Sequence, residues 1–151
     1  MFHSKKIDNR INRIQERALR IVYQDYSSCF EDLLQKDNSL TNHQRNVQKL
    51  ATEIFKVTIG KAPKLMEEVF DIVDIPYNLR NQTKFKSYPV KTVKYGLETV
   101  SYLGPKVWNL VPDNLKNLTT LSDFKTQIKK WVPINCPCKL CKNYISHIGY
   151  V

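Results

Sequence analysis

Apolar residues in the first third of the chain recur every three or four positions, a spacing that predicts helices. Over residues 8–24 the repeat places its members on one face, because successive helical side chains are 100° apart. We call this set the isoleucine stripe, and it comprises Ile7, Ile11, Ile14, Ala18, Ile21 and Val22. We expect the stripe to pack against the protein core, as the apolar face of an amphipathic helix does.

Two capping boxes predict the next two helices. Ser28 with Glu31, and Thr41 with Gln44, have the spacing at which a hydroxyl caps the first turn and a Glu or Gln reaches back. The first box predicts a short helix, and apolar residues at helical spacing continue from the second box to Thr58.

A glycine and a proline then predict the boundary between the third and fourth helices. Gly60 suits a left-handed C-cap, and Pro63 suits the first turn of a fourth helix. The buried face expected for that helix is Leu65, Met66, Val69 and Phe70. Residues 1–76 therefore predict a bundle of three or four helices.

Beyond residue 76 the pattern favours a short β-hairpin and two more helices. Strand-forming residues at 90–95 and at 99–102 flank Gly96-Leu97, which predicts a hairpin. A brief helix is expected to begin at Gly104-Pro105 and to stop before Pro112. A last helix should run from a Ser122 cap to about Trp131, buried through Phe124, Ile128 and Trp131. The predicted class is mainly α (α+β), with a helical region at 1–76, a basic α+β region at 77–133 and a Cys/His tail at 134–151.

Net charge narrows the choice of partners. The chain of 151 residues is one ordinary domain in size, and its formal charge is +10. Residues 79–151 carry twelve basic and three acidic side chains, which is most of the excess. Such a charge favours phosphate or an anionic membrane surface as partner, and interleaved aromatic residues favour nucleic acid.

Two basic clusters are the candidate phosphate contacts. One is a stripe of arginines beside the isoleucine stripe, and the other is a basic stretch interleaved with Phe85, Tyr88 and Tyr95. The candidates are Arg10, Arg13, Arg17, Arg20, Arg80, Lys84, Lys86, Lys91 and Lys94. The alternatives are that the arginines form only a solvated helix face, and that half of the aromatic residues belong to the core.

Three thiols and an imidazole crowd the end of the chain. Cys136, Cys138, Cys141 and His147 supply the four ligands that tetrahedral zinc prefers. Their C-x-C-x2-C-x5-H spacing differs from the usual pairing of two separate clamps, so ordinary reduced thiols beside a surface histidine are the alternative. With Cys29 alone elsewhere, the cysteines form a poor disulfide framework, which favours a reducing intracellular compartment, nucleus or cytoplasm. No apolar run has the length of a membrane span.

Catalytic signatures are missing from the sequence. It contains no phosphate-binding G-x-x-x-x-G-K-[ST] loop, no G-x-S-x-G nucleophile elbow and no H-E-x-x-H zinc motif. The expectation is therefore a protein without enzymatic activity of its own.

Several sequence blocks form a recognisable set along nearly the whole chain. They are INRIQERALR at 11–20, FKV at 55–57, GKAP at 60–63, YNLRN at 77–81, YGLET at 95–99, LGPKVWNLVP at 103–112 and SDFK at 122–125. The set resembles the extreme C-terminal region of reverse-transcriptase polyproteins from non-LTR (LINE-type, Jockey-like) retrotransposons. In those polyproteins the polymerase palm and the endonuclease lie upstream, so the resemblance implies a non-catalytic downstream piece of an RNA-directed DNA polymerase.

The resemblance implies two alternative roles. Some related polyproteins end in a Cys/His cluster proposed to bind nucleic acid, which implies a module that holds RNA or DNA non-specifically by its phosphate backbone. The alternative is a structural module that packs against an absent reverse-transcriptase core, palm or thumb, and has no binding activity of its own. An exposed apolar patch around Trp108 and Trp131 would favour the second role.

Overall fold

A computed structural model describes residues 5–70, 85, 86, 89, 96 and 99–133, and this part of the chain is mainly helical. The helices are α1 (Lys5–Tyr23), α2 (Phe30–Lys36), α3 (Asn42–Thr58), α4 (Lys64–Val69), α5 (Val100–Leu110), α6 (Asp113–Lys116) and α7 (Leu121–Ile128). The chain divides into two compact units, Met1–Asn46 (unit 1) and Val47–Val151 (unit 2). The predicted mainly-α class is confirmed.

Unit 1 has a small apolar core between α1 and α2. Leu19 of α1 is buried with Leu33 and Leu34 of α2, and Tyr23 and Phe30 pack against them. The hydroxyl of Tyr23 donates a hydrogen bond to Asp37 at 3.0 Å, which raises the pKa of Tyr23 because ionisation would break the bond beside a carboxylate. This cluster holds the two helices of unit 1 together.

The predicted capping box at Ser28 is wrong. Helix α2 has Cys29 as its N-cap, with no capping hydrogen bond from its side chain. Ser28 instead donates its hydroxyl to Asp25 Oδ2 at 2.7 Å and its backbone N–H to Asp25 Oδ1 at 3.0 Å, while Ser27 donates to the same carboxylate. Donors from Ser28 and Ser27 hold the pKa of Asp25 well below its ordinary value. The serine therefore closes the turn before the helix.

Helix α3 begins and ends where the sequence predicts. Thr41 Oγ1 accepts from the backbone N–H of Gln44 at 3.2 Å, and Gln44 Oε1 accepts from the N–H of Thr41 at 3.0 Å, a complete capping box. At the other end Gly60 has φ +66°, and two backbone bonds, Gly60 N–H to Val57 and Lys61 N–H to Lys56, close a Schellman motif.

The core of unit 2 is aromatic and continuous. Phe55 of α3 stacks on Phe124 of α7 with centroids 4.0 Å apart, and Trp108 of α5 lies 6.4 Å from Phe124. Phe85 meets Trp108 edge to face at 6.0 Å and Phe70 at 5.6 Å. All five side chains are buried, so Trp108 does not form the exposed apolar patch that would favour the structural role.

Helix α5 replaces the second strand of the predicted hairpin. Thr99 is its N-cap, and Val100 and Tyr102, expected in a strand, lie in its first turn. Leu103 and Val107 are buried at i and i+4, so packing in unit 2 overrides the strand preference of the preceding residues. The predicted first strand, 90–95, lies outside the described residues, and none of the described residues forms a strand. The helix starts before Gly104-Pro105 and stops before Pro112, as expected for its end.

Gly104 marks the closest approach within unit 2. A Cβ at this position would lie 2.7 Å from Cζ of Phe70 and nearer still to Cε1 of the same ring. Phe70 is 2% exposed, so its ring has little room to move away. Only glycine fits there without a shift of α5 or the ring.

Smaller corrections concern α4 and α7. Leu65 of α4 is exposed and Met66 and Val69 are half-buried, so of the predicted buried face only Phe70 belongs to the core. Helix α7 is capped by Thr120, whose Oγ1 accepts from the N–H of Asp123, and not by Ser122.

Candidate nucleic-acid interface

The arginine stripe of α1 faces solvent. Arg10, Arg13 and Arg17 are exposed, and no carboxylate in the described ranges forms an ion pair with them. Arg20 differs, because it is half-buried and its guanidinium donates to Glu16 Oε1 at 2.8 Å. Three of the four predicted arginines therefore offer charge to a partner, and the fourth is partly neutralised within the helix.

A buried polar network on the opposite side of α1 fixes this orientation. Asp8, 3% exposed, accepts from the side-chain amides of Asn12 at 3.3 Å and of Asn42 at 2.8 Å. Gln15 donates to the carbonyl of Leu40 at 3.1 Å. These bonds tie α1 to the start of α3 within unit 1, so the helix cannot rotate without breaking them.

One atom of that network lacks a partner. Asn12 Oδ1 is buried and accepts no hydrogen bond in the described part of unit 1. A buried carbonyl oxygen without a donor costs roughly 1–3 kcal/mol of stability. The hydrogen bonds to Asp8 therefore hold this face of α1 against the cost of the unpaired Asn12 oxygen.

The arginine stripe has the length of a short backbone contact. From Arg10 to Arg17 the helix rises roughly 10 Å, at 1.5 Å per residue. Duplex DNA presents one phosphate charge per about 1.7 Å of axis, so three guanidiniums over this distance meet a surplus of acceptors. Each guanidinium can donate two parallel hydrogen bonds to a phosphate.

The second basic cluster is described only in small part. Lys86 is exposed, whereas Arg80, Lys84, Lys91 and Lys94 lie outside the described residues. Phe85, which the sequence offered as a stacking surface, is 1% exposed and belongs to the aromatic core of unit 2. A ring that packs between Phe70 and Trp108 is not available to a base.

The predicted zinc ligands Cys136, Cys138, Cys141 and His147 also lie outside the described residues. Within the described part, no three His, Cys, Asp or Glu side chains come together as a metal site would require. Zinc at the tail stays a prediction.

Three lysines at the end of α7 add a basic surface that the sequence did not assign to binding. Lys125, Lys129 and Lys130 are exposed, while Phe124 and Ile128 of the same segment are buried. Lys129 and Lys130 follow Lys125 by four and five residues, a helical spacing that separates the lysines from the buried positions. This spacing was the sequence signal that could have indicated a basic surface.

The isoleucine stripe contradicts its prediction, because five of its six residues face solvent. Ile7 is 46% exposed, Ile14 67%, Ile21 68% and Val22 69%, Ala18 is exposed as well, and Ile11 is half-buried. The buried face of α1 is made instead by Asp8, Asn12 and Leu19, about 110° around the helix. An apolar stripe and a row of arginines therefore lie side by side on the outer surface of α1.

Comparison with known proteins gives no relative: no protein-family model, no curated protein and no solved structure matches the chain. Among the described helices none combines the length and the apolar character that crossing a bilayer requires.

Proposed function

We propose that the protein is a non-catalytic nucleic-acid-binding module, the C-terminal piece of a retrotransposon reverse transcriptase, and that it holds RNA or DNA by the phosphate backbone. The observation that carries the proposal is the exposed row of Arg10, Arg13 and Arg17 on a helix whose other face is anchored by Asp8. The net charge of +10 and the resemblance of the sequence blocks support the same function.

The contact is electrostatic and does not read sequence. The arginines lie along a helix, and no aromatic residue stands three or four positions from Arg10, Arg13 or Arg17 to stack on a base beside them. Phosphate contacts fix position and orientation but carry no base information. Binding is therefore expected to weaken steeply between 50 mM and 200 mM salt and to depend little on base order.

Salt titration of the arginine row tests the proposal. The triple variant R10Q/R13Q/R17Q should lower the slope of log affinity against log salt by about 2 on single-stranded RNA, since each phosphate contact contributes roughly 0.7. Fluorescence anisotropy of a labelled RNA across the salt series measures the slope directly.

Two controls separate charge from structure. R10K/R13K/R17K keeps three positive charges and should retain the wild-type slope, because counterion release depends on charge. E16Q/R20Q removes an ion pair without changing net charge, and its slope should also stay. An unchanged slope in R10Q/R13Q/R17Q would show that these arginines of α1 do not contact phosphate.

A second candidate is favoured by the isoleucine stripe. The structural role, packing against a reverse-transcriptase core, calls for apolar surface that this chain does not bury, and Ile14 and Ile21 supply it. The arginine row and the stripe lie side by side on α1, so the two functions would use neighbouring residues of one helix.

A further inference from the structure

The isoleucine stripe has the spacing of a helix-packing seam. Residues 7, 11, 14, 18 and 21 alternate steps of four and three, which is the heptad pattern by which one helix packs its knobs into the holes of another. The seam is roughly 21 Å long, from Ile7 to Ile21 at 1.5 Å per residue. Along this length Ile7, Ile14 and Ile21 are exposed with Ala18 between them, and Ile11 is half-buried, so the seam forms a surface that a second helix can cover.

The two edges of the seam differ in charge. Arg10 and Arg17 occupy the edge position of successive heptads next to Ile14 and Ile21, and both are exposed. The other edge carries Gln15, whose amide is already bonded to Ser39 and Leu40 in unit 1. A partner helix therefore meets positive charge along one side only.

This edge disfavours a second copy of the chain. In an antiparallel pair of α1 helices, Arg10 and Arg17 would face the arginines of the other copy, which is repulsive. In a parallel pair they would face Gln15 and Val22, neither of which carries a negative charge. A partner with carboxylates along one edge of its own seam satisfies both arginines.

We infer that the isoleucine stripe binds an amphipathic helix of another protein, with Leu or Ile along its seam and Glu or Asp along one edge. This inference rests on the second candidate function and deepens it by naming the chemistry of the partner. Apolar burial supplies most of the affinity, and the charged edge selects orientation and partner.

Two synthetic helical peptides test the inference on the full chain. Both have 21 residues with Leu at the seam, and they carry either Glu or Lys at the edge positions. The Glu peptide should bind more tightly, by at least about tenfold at moderate salt, because each reversed charge contact weakens the complex. Isothermal titration calorimetry gives both affinities.

Variants of the stripe and its edge locate the contact. I14S/I21S should weaken the Glu peptide by about a hundredfold or more, since two Ile side chains no longer become buried. Arg10→Glu should reduce the preference for Glu over Lys by about fivefold or more, whereas Arg13→Glu, the same charge change one step farther from the seam, should alter it less than twofold. Far-UV circular dichroism confirms that each variant keeps its helices.

Three results overturn the inference. Equal binding of the two peptides shows that charge does not select the partner. A sedimentation-equilibrium dimer that I14S/I21S abolishes makes a second copy the occupant. Binding to phosphatidylcholine–phosphatidylserine vesicles that requires Ile14 and Ile21, without binding of the Glu peptide, makes a lipid surface the occupant.

Binding of an apolar dye and a titration with RNA distinguish failure of this inference from failure of either candidate function. If the Glu peptide does not bind but an apolar dye binds in a manner that depends on Ile14 and Ile21, the partner chemistry is wrong and the contact-surface role stands. If neither the Glu peptide nor the dye binds, both this inference and the contact-surface role fail. The RNA affinity of I14S/I21S should equal that of wild type, because every arginine is retained, so phosphate binding is tested independently.

Discussion

Helices α1 and α3 are similar in length and both are amphipathic, yet they use their apolar faces in opposite ways. In α3 the apolar residues Val47, Leu50, Ile54 and Phe55 are fully buried. In α1 Ile7, Ile14 and Ile21 face solvent, and an acidic residue, Asp8, is buried instead. Periodicity thus identifies an apolar face, but only the surrounding structure decides whether this chain covers it.

The difference shows where each helix obtains its fixed position. Helix α3 is held by close packing of apolar side chains, at a density that leaves few voids. Helix α1 is held by Leu19 and by hydrogen bonds from Asn12 and Asn42 to Asp8. A helix positioned by polar contacts can leave its apolar stripe for a partner, and one positioned by that stripe cannot.

Matched truncations in α1 and α3 should give the largest difference in stability between the two helices. Ile54→Ala, at a fully buried position of α3, is expected to lower the free energy of unfolding by about 2–5 kcal/mol, because it removes buried methyl groups and leaves a cavity. Ile14→Ala, at an exposed position of α1, should change it by no more than about 0.5 kcal/mol. Urea unfolding followed by far-UV circular dichroism measures both, and equal losses would mean that the isoleucine stripe is buried in solution.

Added volume should give a smaller difference in the same direction. Gly104→Ala places a methyl group against the buried ring of Phe70 and should cost about 1–3 kcal/mol, from which the better helix propensity of Ala, about 1 kcal/mol, is to be subtracted. Ala18→Leu on the exposed stripe should stay within about 0.5 kcal/mol. Thermal unfolding of the two variants beside wild type tests the contrast; a stabilised Gly104→Ala would show that the ring moves freely.

The smallest effect concerns the polar turn of unit 1. The pKa of Asp25 is lowered by donors from Ser28 and Ser27, so its contribution is present above the unfolded pKa of about 3.9 and is lost as pH falls toward the folded pKa. Asp25→Asn should therefore have a lower urea midpoint than wild type at pH 7, with the gap shrinking below about pH 4. For Ser28→Ala, which removes one donor and keeps the carboxylate, the difference in urea midpoint from wild type should shrink less. A difference for Asp25→Asn that does not depend on pH would contradict the role of the ionised carboxylate.

Local rules predicted the ends of α3 because the atoms involved are neighbours in sequence. Thr41 and Gln44 cap each other, and Gly60 adopts the left-handed conformation that ends the helix. The same rule failed at Ser28, since Asp25 lies three residues earlier and accepts the hydroxyl first. A capping box competes with any nearby acceptor, and the sequence pattern does not rank them.

The candidate site was predictable in part. Spacing alone placed Arg10, Arg13 and Arg17 on one exposed face, but the pairing of Arg20 with Glu16 requires side-chain geometry. Nothing in the apolar pattern indicates that Asp8 is buried, because its partner Asn42 is 34 residues away. Long-range polar contacts of this kind rotate a helix away from the orientation that hydropathy favours.

The placement of the two tryptophans decides which part of the protein intrinsic fluorescence reports on. Trp108 is enclosed by Phe85 and Phe124, Trp131 is half-buried after α7, and residues 1–46 contain no tryptophan. Intrinsic tryptophan emission therefore reports on unit 2 alone, with a shielded and a quencher-accessible component. Melting of α1, and with it the loss of the arginine row, would pass unseen in such a spectrum and needs a reporter introduced into unit 1.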